Sequence, residues 1–266
     1  MNYQKETYDI LYKTKEFVDL DLPDYKISDG KIIKNKNILV LGVGSGRDVK
    51  YLVSNNKVIG LDISTSAIKQ AKKNGVNARL HNLQQVLPFN DSYFDVVVAK
   101  DILEHLENPM FALSEIRRVV KPSGYVVISV PNHFYFPFRL RILLGGNLIW
   151  KTIGHDHTKL FEEWNYMHLR FFTWKGFQKF LDLGGFRIVK TFWDFGTLGH
   201  YSQPETVFSY IEQTKEKSLG RDLIVSILKR FWLVFNFVFP RNFRRLIVSL
   251  DPAIFSAGFY VWVKKR

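Results

Sequence analysis

The chain contains no cysteine among its 266 residues. Disulfides, thiolate metal sites and a cysteine nucleophile are therefore excluded. Acidic residues are scarce as well. Asp and Glu number 25 against 38 Lys and Arg, a formal charge of +13, and that balance invites nucleic acid, anionic lipid or an anionic substrate. The greasiest stretch, 221–239, is interrupted by Lys229-Arg230 and falls short of the roughly twenty apolar residues that a spanning helix needs. Met1 to Asp24 is charged and lacks an apolar signal core, so the expected compartment is the cytoplasm. Neither an internal repeat nor a low-complexity tract is present. What is abundant is apolar: hydrophobic residues make up 46%, enough for one sizeable core.

The most informative segment is Asn37-Ile-Leu-Val-Leu-Gly42-Val-Gly44-Ser45-Gly46, followed about twenty residues later by Val58-Ile-Gly-Leu-Asp62. One apolar run ends in three alternate glycines, and the next ends in a carboxylate. Glycines let the backbone approach a ligand closely, and an acid there accepts hydrogen bonds from ribose hydroxyls. A nicotinamide dinucleotide fingerprint would place its third glycine three residues after the second. That position is Arg47 here, which argues against hydride transfer.

Strands and helices alternate through the first half. Strands are expected at 38–41, 58–61, 78–81, 94–99 and 125–130. Helices are expected from Asp48, from the Ser64 cap to Lys73, and over Pro109 to Val120, with Lys121-Pro-Ser-Gly124 as the stop. Continuous apolar strands alternating with helices predict an α/β fold with a parallel sheet covered on both faces. Beyond it lie an aromatic, histidine-rich stretch without period, a helix over Thr173 to Leu183, a strand over Phe186 to Phe195 and a last strand over Ser256 to Val263. The whole, 1–266, reads as one domain with a lid-like insertion near 133–172 and a hydrophobic, basic insertion near 197–253. Residues 1–36 read as a helical, polar leader.

Five segments in this order resemble a class I S-adenosylmethionine-dependent methyltransferase of the small-molecule type 11 kind. They are the glycine loop, Gly60-Leu-Asp-Ile-Ser64, Leu87-Pro-Phe89 with Phe94-Asp95, Ile102-Leu-Glu-His-Leu106 with Asn108-Pro109, and Glu115-Ile-Arg-Arg-Val119 running into Lys121-Pro122 and Val130-Pro131-Asn132. His168-Leu-Arg-Phe-Phe-Thr173 resembles the distal half of sugar- and glycan-modifying members. The resemblance implies a seven-stranded Rossmann-like sheet, mostly parallel with an antiparallel last strand, and S-adenosylmethionine as cofactor. It further implies that Gly42, Gly44, Ser45 and Gly46 wrap the methionine part, Asp62 the ribose, and Ile63, Asn82 and Leu83 the adenine. Lys100-Asp101 would close over the cofactor. Two positions depart from the family pattern: Val40 stands where an acid is usual, and Asn82 where an aspartate is.

The expected activity is methyl transfer to an oxygen of a sugar, a glycan (lipid-linked or free) or another small metabolite. A hydroxyl acceptor needs a base, and histidine is the natural one near neutral pH. His168, His157 and His105 are the candidate catalytic groups, with His133 at the same sheet edge. His155-Asp156-His157 suggests a metal, but no third ligand stands at helical spacing, and none is assigned. An RNA methyltransferase is the alternative the charge raises. No cysteine is present for covalent pyrimidine chemistry, and Lys100-Asp101-Ile102 replaces the Asn/Asp-Pro-Pro-aromatic signature of amino-group methylation. Val40 keeps open a cofactor-binding partner protein without catalysis. Residues 221–245 put Leu223, Ile224, Ile227, Phe231, Val234, Phe235 and Val238 beside Lys229, Arg230, Arg241, Arg244 and Arg245. That composition suits a helix lying in an anionic membrane interface, on the inner face of the membrane, or equally a helix packed in the core or a homodimer.

Overall fold

The computed structural model describes residues 3–13, 24–143, 167–194, 251–256 and 258–266, with isolated positions between 226 and 250. Seven strands form one sheet: β1 (Asn37–Leu41), β2 (Lys57–Asp62), β3 (Asn77–Leu80), β4 (Phe94–Lys100), β5 (Val120–Pro131), β6 (Phe186–Asp194) and β7 (Gly258–Lys265), in the order β3-β2-β1-β4-β5-β7-β6. β3, β2, β1, β4 and β5 pair in parallel, and β7 runs antiparallel between β5 and β6. The expected architecture, including its reversed last strand, is the one observed.

The helices are α1 (Tyr3–Lys13), α2 (Lys50–Val53), α3 (Thr65–Lys73), α4 (Pro109–Val119), α5 (Phe136–Leu143), α6 (Trp174–Leu183) and the single turn α7 (Pro252–Phe255). Their starts follow the capping chemistry written in the sequence. Ser64, Asn108 and Thr173 each accept a backbone N–H of the first turn, from Ala67, Phe111 and Gly176. Alternate residues of each central strand serve opposite layers. Leu39, Leu41, Val97 and Ala99 join the core under α4 and α6; Ile38, Val40, Val96 and Val98 join the one under α2 and α3. A strand buried on both faces cannot alternate polar with apolar, hence the unbroken apolar runs.

Lys121-Pro-Ser-Gly124, expected as a turn, lies inside β5. Phe94 pairs with Val120, but Val96 pairs with Tyr125, so the extra residues bulge out of the ladder. Gly124 makes that possible, since a Cβ there would stand 2.7 Å from the Asp95 carbonyl oxygen. The leader is no appendage. Asp9 of α1 accepts hydrogen bonds from Ser64 Oγ (2.7 Å), Thr65 Oγ1 (3.0 Å) and Ser66 N (3.0 Å) at the start of α3. An acid at a helix N-terminus meets unsatisfied N–H groups and the positive end of the dipole. The expected insertions at 133–172 and 197–253 lie mostly outside the described residues. Among those described, no helix is long and apolar enough to cross a membrane.

Several of the family-like segments hold the frame together at a distance from the sheet's ligand edge. Arg118 donates to both Glu115 oxygens (2.8 and 2.7 Å), to the carbonyls of Phe89 and Leu87 (2.7 and 3.0 Å) and to Asp91 (2.8 Å). Glu115 also accepts from Leu87 N at 2.7 Å. Loop 87–91 is thereby tied to α4. The Arg118 guanidinium holds the Glu115 carboxyl below its ordinary 4.5. Because the folded value is the lower one, this contribution to stability is complete above pH 4.5 and is lost as pH falls through the folded value. Glu115→Ala is expected to cost about 2–4 kcal/mol in chemical denaturation, since it leaves a guanidinium half-paired. Glu115→Gln should flatten the acid limb of the stability–pH curve, and an unchanged limb would count against this pair.

Candidate active site

Strand order reverses between β1 and β4, where adjacent crossovers leave on opposite sides. In an open α/β sheet that switch point opens a crevice at the strands' carboxyl ends. A cleft of about 430 Å³ lies there, within the size range of small-molecule sites.

One end of the cleft is built by the glycine loop. Gly42, Gly44 and Gly46 all have positive φ, 66°, 52° and 73°, a region that side chains rarely allow. The loop is held by Asp62. Its Oδ2 accepts from Gly44 N and its Oδ1 from Ser64 N, each at 2.9 Å. Burial pushes the Asp62 carboxyl up, against the pull of those backbone donors. Gly42, Gly44, Asp62, Ile63, Asn82, Leu83 and Lys100 all line the cleft, as does Val40. Ser45 and Gly46 do not. The Ser45 carbonyl accepts from Asn74 Nδ2 at 2.9 Å, and a Cβ on Gly46 would meet Val76 at 2.9 Å, so their surroundings are those of packing. Lys100 is shared between Asp48 (2.7 Å) and Asp24 (3.3 Å). Burial works against its charge, but those two carboxylates outweigh it and raise the ammonium's pKa.

The other end carries acid–base groups. Glu104 and His105 sit on a single 3-10 turn, Leu103–His105, just past β4. The Glu104 carbonyl accepts from Leu169 N (2.8 Å) and Arg170 N (3.0 Å), and this brings His168 against His105, ring centroids 4.6 Å apart. His168 Nδ1 lies 2.7 Å from His133 Nε2. His105 Nδ1 lies 2.8 Å from the Tyr8 hydroxyl and 3.1 Å from the Met167 carbonyl. Burial pulls His105 down to about 4, and burial with His105 nearby pulls His133 to about 4; His168 is lowered further for the same reasons. The three imidazoles are neutral at neutral pH. Burial, with Asp101 nearby, pushes the Glu104 carboxyl well above its ordinary range. Of the three candidate histidines, two meet here; His157 lies outside the described residues.

A methyltransferase-domain family model matches residues 39–128. An uncharacterized protein of Methanocaldococcus jannaschii is 30% identical over 203 residues, 70% of this chain and 74% of that one. A probable S-adenosylmethionine-dependent methyltransferase of Mycolicibacterium smegmatis is 35% identical over 135 residues, 46% of this chain and 52% of that one. The chain belongs to the class I S-adenosylmethionine-dependent methyltransferases. A crystal structure from Thermotoga maritima, described as such a methyltransferase and a possible histamine N-methyltransferase, shares the fold with a TM-score of 0.58, at 16% identity over 98% of this chain and 99% of that one. S-adenosylmethionine is the family's cofactor, and the residues present fit it. The loop's glycines leave the backbone bare along the cleft, and the Asp62 carboxylate, with about four lone-pair sites, keeps acceptor capacity beyond its backbone donors.

Sequence reasoning missed the methyltransferase's roof. Tyr8 and Tyr12 of α1 line the cleft, and a Cβ on Gly44 would stand 2.6 Å from the Tyr12 hydroxyl oxygen. Their spacing of four, with Lys5 and Asp9 one turn apart beside them, was the available signal. It also missed Asp48 and Glu104 as lining acids, whereas Asp101, expected to close over the cofactor with Lys100, lines the cleft as well. Asp101 has a φ of 47°, a cost for a residue with a Cβ that functional sites often carry. Gly44→Ala is expected to push Tyr12 aside and loosen α1, raising amide hydrogen exchange over residues 3–13. Gly30→Ala is the control, since its φ is also positive but a Cβ there meets nothing within 4 Å. Equal exchange in the two variants would remove Tyr12 from the loop.

Proposed function

We propose that this protein moves the methyl group of S-adenosylmethionine to a hydroxyl of a small metabolite or glycan. The observation that carries the reading is the continuity of one cleft from the glycine loop and Asp62 to Glu104, His105 and His168. In the proposed arrangement Asp62 takes the ribose hydroxyls, and Ile63, Asn82 and Leu83 flank the adenine. Asp48 and Asp101, which line the same cleft, offset the cationic sulfonium and amino group where Val40 supplies no charge. The acceptor oxygen attacks the methyl carbon, the carbon–sulfur bond breaks, and its electron pair stays on sulfur. The sulfonium is already activated, so the protein's task is alignment, exclusion of water and removal of the hydroxyl proton. His105 and His168 are the groups placed to accept that proton; burial keeps them unprotonated and also weakens them as bases, so placement rather than basicity carries the assignment. His157 keeps its candidacy from the sequence alone.

A membrane-associated acceptor is a second reading with its own support. Ile227, Arg230, Val234 and Val238 are helical and exposed, and Ile227, Val234 and Val238 are each more than half accessible. Their spacing of three, four and four puts them on one face. Three exposed aliphatics beside an Arg, in a segment followed by Arg241, Arg244 and Arg245, suit the interface of an anionic leaflet.

Calorimetry on the whole chain is expected to show binding of S-adenosylmethionine and S-adenosylhomocysteine. Asp62→Asn should weaken both by about 1–3 kcal/mol through lost ribose hydrogen bonds. Preferential binding of NADH would overturn the assignment. With a panel of phenols, sugars and glycans, mass spectrometry should find an acceptor that gains one methyl group. His168→Ala and His105→Ala should each slow that transfer by about 10²–10⁴-fold while homocysteine-product affinity is kept. Full turnover in both would end their candidacy.

In liposome flotation, the wild type should bind anionic vesicles, less so as salt rises. Ile227→Ser, Val234→Ser and Val238→Ser combined should abolish flotation with cofactor binding intact. A wild type that never floats would dismiss the membrane.

A further inference from the structure

Glu104 stands out among the groups that the frame does not explain. It is 1% exposed, and neither carboxylate oxygen has a hydrogen-bond partner among the described residues. A carboxylate taken out of water without a partner is among the costliest side-chain arrangements in a protein. Its one ion-pair neighbour among the described residues is His105, whose Nε2 lies 3.7 Å from Glu104 Oε1.

At that distance the neighbour makes no hydrogen bond to the carboxyl. His105 Nδ1 lies 3.1 Å from the Met167 carbonyl oxygen. A carbonyl can only accept, so in the tautomer that satisfies Met167 the proton sits on Nδ1, the Tyr8 hydroxyl oxygen shares that N–H, and Nε2 presents a lone pair. The buried carboxyl and that ring nitrogen thus face one another at 3.7 Å, beyond hydrogen-bond length, and neither satisfies the other. A cation between them would satisfy both and hold the acid ionised. The third donor is at hand: one ligand atom each of Glu104, His105 and His168 lie within 4.8 Å of one another.

We propose that Glu104, His105 and His168 bind a divalent transition-metal ion of the zinc kind. Two imidazole nitrogens and one carboxylate oxygen are a common donor set for such an ion, with bonds of roughly 2.0–2.2 Å that set neighbouring donors about 3.3 Å apart in a tetrahedron. Small side-chain rotations bring the present spread to that size. The surroundings are those of oriented ligands. Met167 and Tyr8 fix the ring of His105 through Nδ1, and His133 Nε2 meets His168 Nδ1 at 2.7 Å. Outer contacts of this sort set tautomer and ring direction at metal centres. Three protein donors leave a coordination position open, as in catalytic rather than structural sites. All three line the cleft, so the open position would take an oxygen of a hydroxyl or vicinal-diol ligand. The metal site rests on this geometry alone; its use on an acceptor oxygen rests on the methyl-transfer reading above, in which His105 and His168 would then hold the ion, and the ion rather than a free imidazole would acidify the hydroxyl.

The test uses the whole protein after chelator treatment, titrated with zinc and, separately, with cobalt(II), whose visible bands report a low-coordinate nitrogen and oxygen environment. One equivalent of each is expected to bind. Glu104→Gln and His168→Ala should abolish the bands, and His133→Ala should weaken affinity by roughly 10–100-fold. S-adenosylhomocysteine calorimetry on the same samples reports whether each variant is folded. Absence of cobalt bands in wild type that binds the homocysteine product overturns the metal and leaves methyl transfer standing. Bands that persist in folded Glu104→Gln and His168→Ala place the ion elsewhere, as on His155 and His157, and overturn the site equally. One equivalent of metal with no affinity for the methyl donor or its product would sustain the site and sink the methyl-transfer reading.

Discussion

The carboxylate of Asp62 is the joint on which the site depends. One oxygen takes the N–H of Gly44, and the other takes the N–H of Ser64. The first bond holds the glycine loop after β1 in a backbone region that side chains rarely adopt. The second holds the start of α3, where Ser64 caps the helix and its hydroxyl donates to Asp9. Through Asp9, α1 is drawn across the cleft. A single buried acid therefore links loop, strand end, helix cap and roof. Its burial raises the energetic stakes, because a charge out of water is tolerated only while each bond to it is made.

The frame was legible because its signals are local. Ser64, Asn108 and Thr173 announce helix starts by their own side chains, and a strand buried on both faces must be apolar throughout. The bulge inside β5 was not legible. Lys-Pro-Ser-Gly reads as a turn over any short window, and only the register against β4 shows those residues absorbed within a strand. The same limit explains α1. Its polar composition describes a surface helix, whereas its place is set by Asp9 meeting a helix terminus 55 residues later.

At the site, the cofactor half was more legible than the acceptor half. Glycines and a terminal acid carry their purpose in their spacing. Glu104, His105, His133 and His168 come together through backbone bonds between the Glu104 carbonyl and residues 169 and 170, a contact no periodicity reveals. The resemblance itself rested partly on residues with other work. Arg118 and Glu115 clamp loop 87–91, Asp95 receives the first N–H of β1, and Asn132 donates to the carbonyls of Ala253 and Ser256 ahead of β7. These groups preserve a scaffold and say nothing of an acceptor.

The roof touches both ends of the cleft. Tyr12 lies over the glycine loop, and Tyr8 meets His105 at 2.8 Å, four residues apart on one helix. A rigid helix cannot lift from one end while staying seated on the other. One element therefore covers both ends of the cleft, and the partly buried bonds of Asp9 to the start of α3 anchor it over cofactor and acceptor sides alike.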